Sequence, residues 1–351
     1  MARRIGIGFD WQGNLDRERA FARAKAAEDA GIDSLWAAEA WGRDAFSLLT
    51  QVAERTTRIK LGTGIVNIYS RTPAALAQHF ATLDELSGGR VIIGLGNSGP
   101  NVIEHFHGVP FQPALRRMRE TVELLRLFFK HEPVKYSGQI FKLERGFTLR
   151  LDPVRKEVPI YLATLNPKSV KMTAELADGW MPVMIPIDQL AQEVATVNQW
   201  VREAGRDPKQ FTVRAPGGVT VANTPAQLAL AQRRSAGTLA FYCARMGEFY
   251  YRQLSRQGFQ AEADRVRAAW AEGGPEKAAA AVPPAMMSRL GFAGSTEECV
   301  ERLQQDEAAG ATLHSATVLE EDPREASKLL AKLVGCAART AGSAARADSG
   351  C

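Results

Sequence analysis

Residues 59–96 read IKLGTGIVNIYSRTPAALAQHFATLDELSGGRVIIGLG. A β-rich run leads through Thr72-Pro73 into a helical run, which stops at Gly88 and Gly89 and returns at once to a second apolar strand. Proline suits the first helical turn because its φ is already helical and its missing N–H costs nothing there. A glycine just past the last helical residue accepts the left-handed conformation that closes a helix. A strand, a helix and a strand of this kind make one parallel unit, since antiparallel neighbours need only a hairpin.

The same unit recurs on both sides. Before it come RIGIGF and SLWAAE as strands, each followed by a helical run, DRERAFARAKAAEDAG and DAFSLLTQVAERT. After it, PALRRMRETVELLRLFFK reads as a helix and KYSGQIFKLERGFTLRL as a two-stranded excursion. VPIYLAT, GWMPVMI, FTVRAPGGVTVA and ATLHSATVL then supply strands separated by helices. Eight parallel strands in 351 residues predict an α/β fold, a closed (β/α)8 TIM barrel, rather than an open doubly wound sheet, which at this length divides into two domains. The open sheet's GxGxxG would open a helix after the first strand; here GLGNSG follows the fourth. Residues 1–337 read as one domain, with 224–290 as a helical insertion late in the chain and 338–351 as a small, polar tail outside the fold.

Composition narrows the function classes. At 45% hydrophobic and 24% charged the chain can bury a large core, and it has no run of about 18 uncharged apolar residues, so the expectation is a cytoplasmic protein that does not enter a membrane. The net charge of +5 is spread among acids without a basic block, which argues against a nucleic-acid partner. Cys243, Cys299, Cys336 and Cys351 are scattered and make no disulfide or zinc-site spacing.

A barrel builds its site from the loops after the strands. These read FDWQGN, EAWGRD, GIVNIYSR, GNSGPN, TLNPKS and MIP, with APGG interrupting the seventh strand. No nucleophile triad or metal cluster stands there, which disfavours hydrolysis by a built-in nucleophile. Glycine-rich strand ends instead let backbone approach a flat ligand. In TLNPKS, Asn166 is placed to cap a helix beginning at Pro167 and to aim free N–H groups at a phosphate.

The 59–96 stretch, AKAAEDAGIDSLWAAEAW near the start and VPIYLATLNPKSVKMTAELADGWMPV in the middle resemble the bacterial luciferase-like superfamily. Within it they are most similar to the branch that uses the deazaflavin coenzyme F420 and includes methylenetetrahydromethanopterin reductase. The likeness covers most of residues 5–185 and returns at 294–318. It implies a ring held across the strand ends, with the third strand bulged against its back and a cis peptide at Gly64–Ile65. Glu39 matches an acidic residue near the cofactor head, and Asn67 one beside the ring. Gly96 and Asn97 match the fourth-strand loop, Thr164 and Asn166 the phosphate loop, and Gly179 and Trp180 the sixth-strand edge of the cleft. Ala40 stands where some deazaflavin members carry histidine, and Gly99-Pro100 where sugar-phosphate dehydrogenases of the branch carry glutamate, which weakens a sugar-phosphate substrate.

The reaction expected is hydride transfer between coenzyme F420 and a small organic substrate. Glu39 is the first candidate for the accompanying proton and Asp10 the second. Trp11, Trp41 and His107 are placed to line the substrate pocket. The alternatives are a flavin-mononucleotide (FMN) monooxygenase on the same scaffold and a cofactor-binding barrel without catalysis. The resemblance also implies a homo-oligomer, a dimer.

Overall fold

The computed structural model describes residues 2–9 and 13–335. Asp10, Trp11 and the 338–351 tail lie outside the described residues. In chain order the strands are β1 Ile5–Phe9, β2 Ser34–Ala37, β3 Lys60–Thr63, β4 Val66–Asn67, β5 Val91–Gly96, β6 Val134–Ser137 and β7 Lys142–Phe147. They continue with β8 Ile160–Ala163, β9 Gly179–Trp180, β10 Thr212–Val213, β11 Val219–Val221, β12 Phe292–Gly294 and β13 His314–Val318.

The parallel sheet runs β10-β9-β8-β5-β3-β2-β1-β13-β11-β12, with β4 paired to β5. It closes where Arg214 bridges Leu313 and the N–H of Ala215 donates to Leu313 O at 2.8 Å. With β3/β4 and β10/β11 each counted as one interrupted strand and β12 set aside as an addition to the edge of β11, this is the expected eight-stranded TIM barrel.

Helices α1 Arg17–Asp29, α2 Ala45–Arg55, α3 Pro73–Ser87, α4 Pro100–His105, α5 Ala114–Phe129, α6 Pro167–Leu176 and α7 Ile187–Glu203 follow the early strands. Helix α3 begins as its sequence predicts, with Thr72 accepting from Ala75 N, and ends with Gly88 at φ 67° and Gly89 at φ 82°. The excursion is an antiparallel hairpin, β6 with β7. Helices α8 Pro225–Arg245, α9 Glu248–Arg256, α10 Gln260–Ala280 and α11 Pro284–Leu290 make up the insertion, and α12 Thr296–Ala308 and α13 Pro323–Val334 finish the ring.

Two elements were not expected from the sequence, the six-residue α4 and the three-residue β12, which pairs with the outer edge of β11. Both are too short to show a period of their own.

The end of the barrel away from the loops is fixed by buried polar contacts. Arg90 donates to the carbonyls of Ala53, Thr56 and Ile59, and Glu28 accepts from the N–H groups of Thr57, Arg58 and Ile59. These hydrogen bonds satisfy strand entrances that would otherwise bury bare backbone groups.

Candidate active site

Along each strand alternate side chains point into the barrel. In IGIGF the apolar Ile5 and Phe9 join the core beneath the helices, while Gly6 faces inward. A Cβ on Gly6 would stand 2.5 Å from Trp36 Nε1, and one on Gly62 2.4 Å from Trp36 Cε3, so glycine on both neighbouring strands makes room for one indole. Trp36 donates to Ser34 Oγ at 2.9 Å and stacks on Tyr161, with ring centroids 6.1 Å apart. With Ile92, Met181 and Leu313 they form an inner apolar cluster separate from the outer core. Gly8, on the same face of β1 as Gly6 and nearer the loops, has no atom of the described residues within 4 Å of where a Cβ would be. The lumen is filled at the level of Trp36, and among the described residues there is room beside Gly8 beyond it.

The third strand breaks just there. The Gly64–Ile65 peptide is cis, as the resemblance implied. Thr63 Oγ1 accepts from Gly94 N at 2.9 Å and donates to Gly94 O at 2.7 Å, standing in for the ladder where the strand leaves it. The bulge is held from the other side by Gly64 N to Ala37 O at 2.8 Å and Glu39 N to Ile65 O at 3.0 Å. Gly96 admits the Ile65 side chain, whose Cδ1 lies 2.9 Å from where a Cβ would be.

Beyond the bulge, Asn67 is buried and its Oδ1 accepts from the N–H groups of Tyr69 at 2.9 Å and Ser70 at 2.8 Å. Those two donors fix the amide orientation, so its Nδ2 donates across 3.3 Å to His107 Nε2. His107 is thereby held with Nε2 as acceptor, which leaves Nδ1 to carry the proton of the neutral ring.

Glu39 is engaged. Arg71 grips both its carboxylate oxygens and Ala45 N donates to Oε2 at 3.1 Å, while Arg71 also reaches Asp44 Oδ2 at 2.7 Å. Asp44 caps α2 by accepting from Ser47 N. Burial raises its carboxyl, but the cap from Ser47 and the charge of Arg71 outweigh that and hold it below the usual range. Trp41 lies on the rim against Phe241 of α8, with ring centroids 6.1 Å apart.

Across the mouth, Asn166 caps α6 as predicted, with Oδ1 accepting from Ser169 N at 3.0 Å. Lys171 is drawn to Glu203 at 3.7 Å and does not serve the cap. Thr164 and Trp180 line a cleft of about 330 Å³ with Pro167, Gln189, Arg256 and Gln257. Trp180 packs outward among Val170, Leu190 and Val194 and donates from Nε1 to Thr164 O at 3.0 Å. Gly179 lies under the Tyr161 ring, where a Cβ would come within 2.7 Å of Tyr161 Cδ1. The Trp180 side chain therefore stays out of the lumen, and Gly179, which has none, leaves room there for Tyr161. Asn97, at the end of β5, keeps a buried Oδ1 with no partner among the described residues.

The sequence profile of luciferase-like monooxygenases matches residues 10–313. The chain belongs to that family. This luciferase-like chain is 31% identical over 335 residues to a putative coenzyme F420-dependent oxidoreductase of Mycobacterium tuberculosis, covering 90% of this chain and 94% of the other. It is 31% identical over 300 residues to 5,10-methylenetetrahydromethanopterin reductase of Archaeoglobus fulgidus, covering 82% and 86%. The solved coenzyme F420-dependent tetrahydromethanopterin reductase of Methanopyrus kandleri superposes with a TM-score of 0.78 at 25% identity, covering 95% of this chain and 98% of that one.

One residue of this luciferase-like site escaped the sequence reading. Arg214, after β10, turns inward beside Thr212. Its Nε donates to Ser315 Oγ at 2.9 Å, its Nη1 lies 3.9 Å from Met181 Sδ, and its guanidinium covers the Trp36 ring at 5.0 Å. Burial pulls it down to about 10, which leaves it protonated at neutral pH. The signal lay in FTVRAPGG: on alternation, Thr212 and Arg214 share the inner face while Val213 and Ala215 face the helices.

Proposed function

We propose that the protein is an oxidoreductase that transfers a hydride between coenzyme F420 and a small organic substrate. The observation that carries this is the bulge at Gly64–Ile65 beside the Trp36 layer of the lumen, in a chain similar to a relative and a solved structure that are both named for coenzyme F420. Residues at the strand ends fit a bound ring. The orphaned Asn97 Oδ1 offers an acceptor to a ligand N–H, and the bulge offers a flat backbone wall. The α6 N-terminus beside Asn166 suits a phosphate.

When bound, coenzyme F420 supplies the hydride chemistry; the protein's tasks are to orient, to exclude water and to handle the proton. Glu39 has its carboxylate oxygens committed to Arg71 and Ala45, so its role is to position the loop after β2. His107 is the better proton carrier, because Asn67 fixes its tautomer and leaves the Nδ1 proton for a substrate oxygen or nitrogen. Trp41 and Phe241 would wall the substrate side. The working form is read as a homo-oligomer, a dimer, in keeping with large apolar side chains on the surface such as Phe147 at 76% exposure; light scattering measures this.

Titration of the purified protein with coenzyme F420 and with FMN, followed by fluorescence, tests the reading. Tight binding of the deazaflavin is expected. Preference for FMN with oxygen uptake would sink the proposal, and binding of neither would leave a barrel without this chemistry. His107→Gln is expected to lower kcat at least tenfold with coenzyme F420 affinity retained.

A further inference from the structure

Many arginines around this barrel end on oxygen. Arg4 meets Asp33, Arg155 meets Asp84, Arg126 and Arg206 meet Asp178, and Arg90 meets backbone carbonyls. Arg214 is different. It stands inside the barrel, where its polar contacts are one hydroxyl and a thioether, with an indole face beneath it. Among the described residues no carboxylate pairs with it, and burial is the one influence that displaces its protonation.

An arginine has five N–H donors in a planar fork, and a desolvated cation without an anion is costly to keep. The surroundings nonetheless make room for it. Gly6 and Gly62 let Trp36 lie flat beneath it, and Ser315 fixes its Nε. Its Nη1 lies 3.7 Å from where a Cβ on Gly64 would stand, on the lumen side of the bulge. Among the described residues nothing supplies the missing counter-charge, so the position suits an anionic group brought by a ligand.

We propose that Arg214 is a positioning residue whose charge complements the negative charge of the reduced deazaflavin ring held against the Gly64–Ile65 bulge. This rests on the coenzyme F420 reading. A hydride brings two electrons and one proton. When the substrate C–H bond breaks, the substrate is oxidised by two electrons and the ring system gains one negative charge, which stays unless a further proton follows. A fixed guanidinium beside the bulge holds that charge without a proton donor, and it favours the reduced form over the oxidised one.

The test is the ratio of two dissociation constants, for reduced and for oxidised coenzyme F420, measured on the full chain by anaerobic calorimetry and by fluorescence. Arg214→Gln is expected to weaken the reduced form at least tenfold more than the oxidised form, equivalent to a potential lower by about 30 mV for a two-electron couple. Arg214→Lys, which keeps the charge, is expected to restore most of the ratio. Without ligand, Arg214→Gln should melt no lower than the parent protein, because the desolvated charge is gone. Equal loss for both forms, no loss for either, or a clear fall in the melting temperature of Arg214→Gln would each mean that Arg214 only shapes the cavity, and would overturn the inference. A parent protein that binds neither form overturns the coenzyme F420 reading and this inference with it. A parent that binds both while Arg214→Gln leaves the ratio unchanged overturns this inference alone.

Discussion

Glu39 and Arg71 meet where the loops after β2 and β4 converge, with their side chains 9% and 17% exposed. An ion pair this shielded is costly to halve, since the survivor is left with a desolvated charge. Arg71→Ala is expected to lower stability by about 3 kcal/mol. Adding Glu39→Ala should cost less than the sum of the single changes, with a coupling of about 1–2 kcal/mol in urea denaturation. Additive losses would show that the two side chains act apart. His314 belongs to the opposite end of the barrel, where burial pushes its pKa down to about 4, against the pull of Glu307 and with the help of Arg3. An unfolded histidine takes its proton near pH 6.5, so between about 6.5 and 4 the unfolded chain binds a proton that the folded chain refuses. Stability from this group is complete above that window and falls as pH drops through it, by roughly 3 kcal/mol at most. Denaturation curves from pH 7.5 to 4.5 should show this slope, and His314→Gln should flatten it.

The third strand and its neighbour depend on a glycine that nothing in a strand pattern demands. A Cβ at Gly94 would stand 1.7 Å from Thr63 O, a backbone atom that the bulge fixes in place. Gly94→Ala is expected to cost at least about 3 kcal/mol, whereas Gly8→Ala, with no atom of the described residues near its Cβ position, should stay within about 0.5 kcal/mol. Thermal melts of the two variants make the comparison; equal losses would show that the bulge relaxes freely. This contrast also marks what the sequence could tell. Strands such as RVIIGLG and helices capped by Thr72 and Gly88 were legible because burial and capping leave periodic, local signals. The Gly64–Ile65 bulge was legible through its family likeness, since GTGIV alone reads as an unbroken strand. The engagement of Glu39 by Arg71 was not legible, because the partners are 32 residues apart and meet only once both loops are placed. The direction of the Trp180 indole was not legible, because the two-residue strand that turns it towards α6 and α7 is too short to show an alternation.

Across the whole molecule the insertion has a core of its own, in which Leu239, Leu254, Val266 and Met286 pack together with Met184 from the loop after β9. It leaves the barrel and rejoins it at neighbouring points, with Asn223 Oδ1 accepting from Thr296 N at 3.0 Å. Apolar contacts through Met184, Trp41–Phe241 and Phe111–Phe249 join it to the mouth, together with polar ones. Arg256 donates to Leu165 O at 3.4 Å, Asn101 to Arg245 O at 3.3 Å and Gln189 to Gln257 O at 3.2 Å, and Arg289 pairs with Asp188 at 2.8 Å. These contacts reach the loops after β5, β8 and β9, and Trp41 brings in the loop after β2, so the insertion spans the opening. Gly273 and Gly274 break α10 with non-helical backbone, giving the span a joint. Segments held by a few exposed hydrogen bonds open locally at lower free energy than barrel strands. In hydrogen exchange, amides of residues 248–290 should therefore exchange faster than those of β5 and β8 in the free protein. If the insertion closes over the cofactor, saturating coenzyme F420 should slow them at least tenfold while the barrel strands change little. Exchange at 248–290 that ignores the ligand would make the insertion a structural appendage and return the shaping of the substrate pocket to the strand-end loops alone.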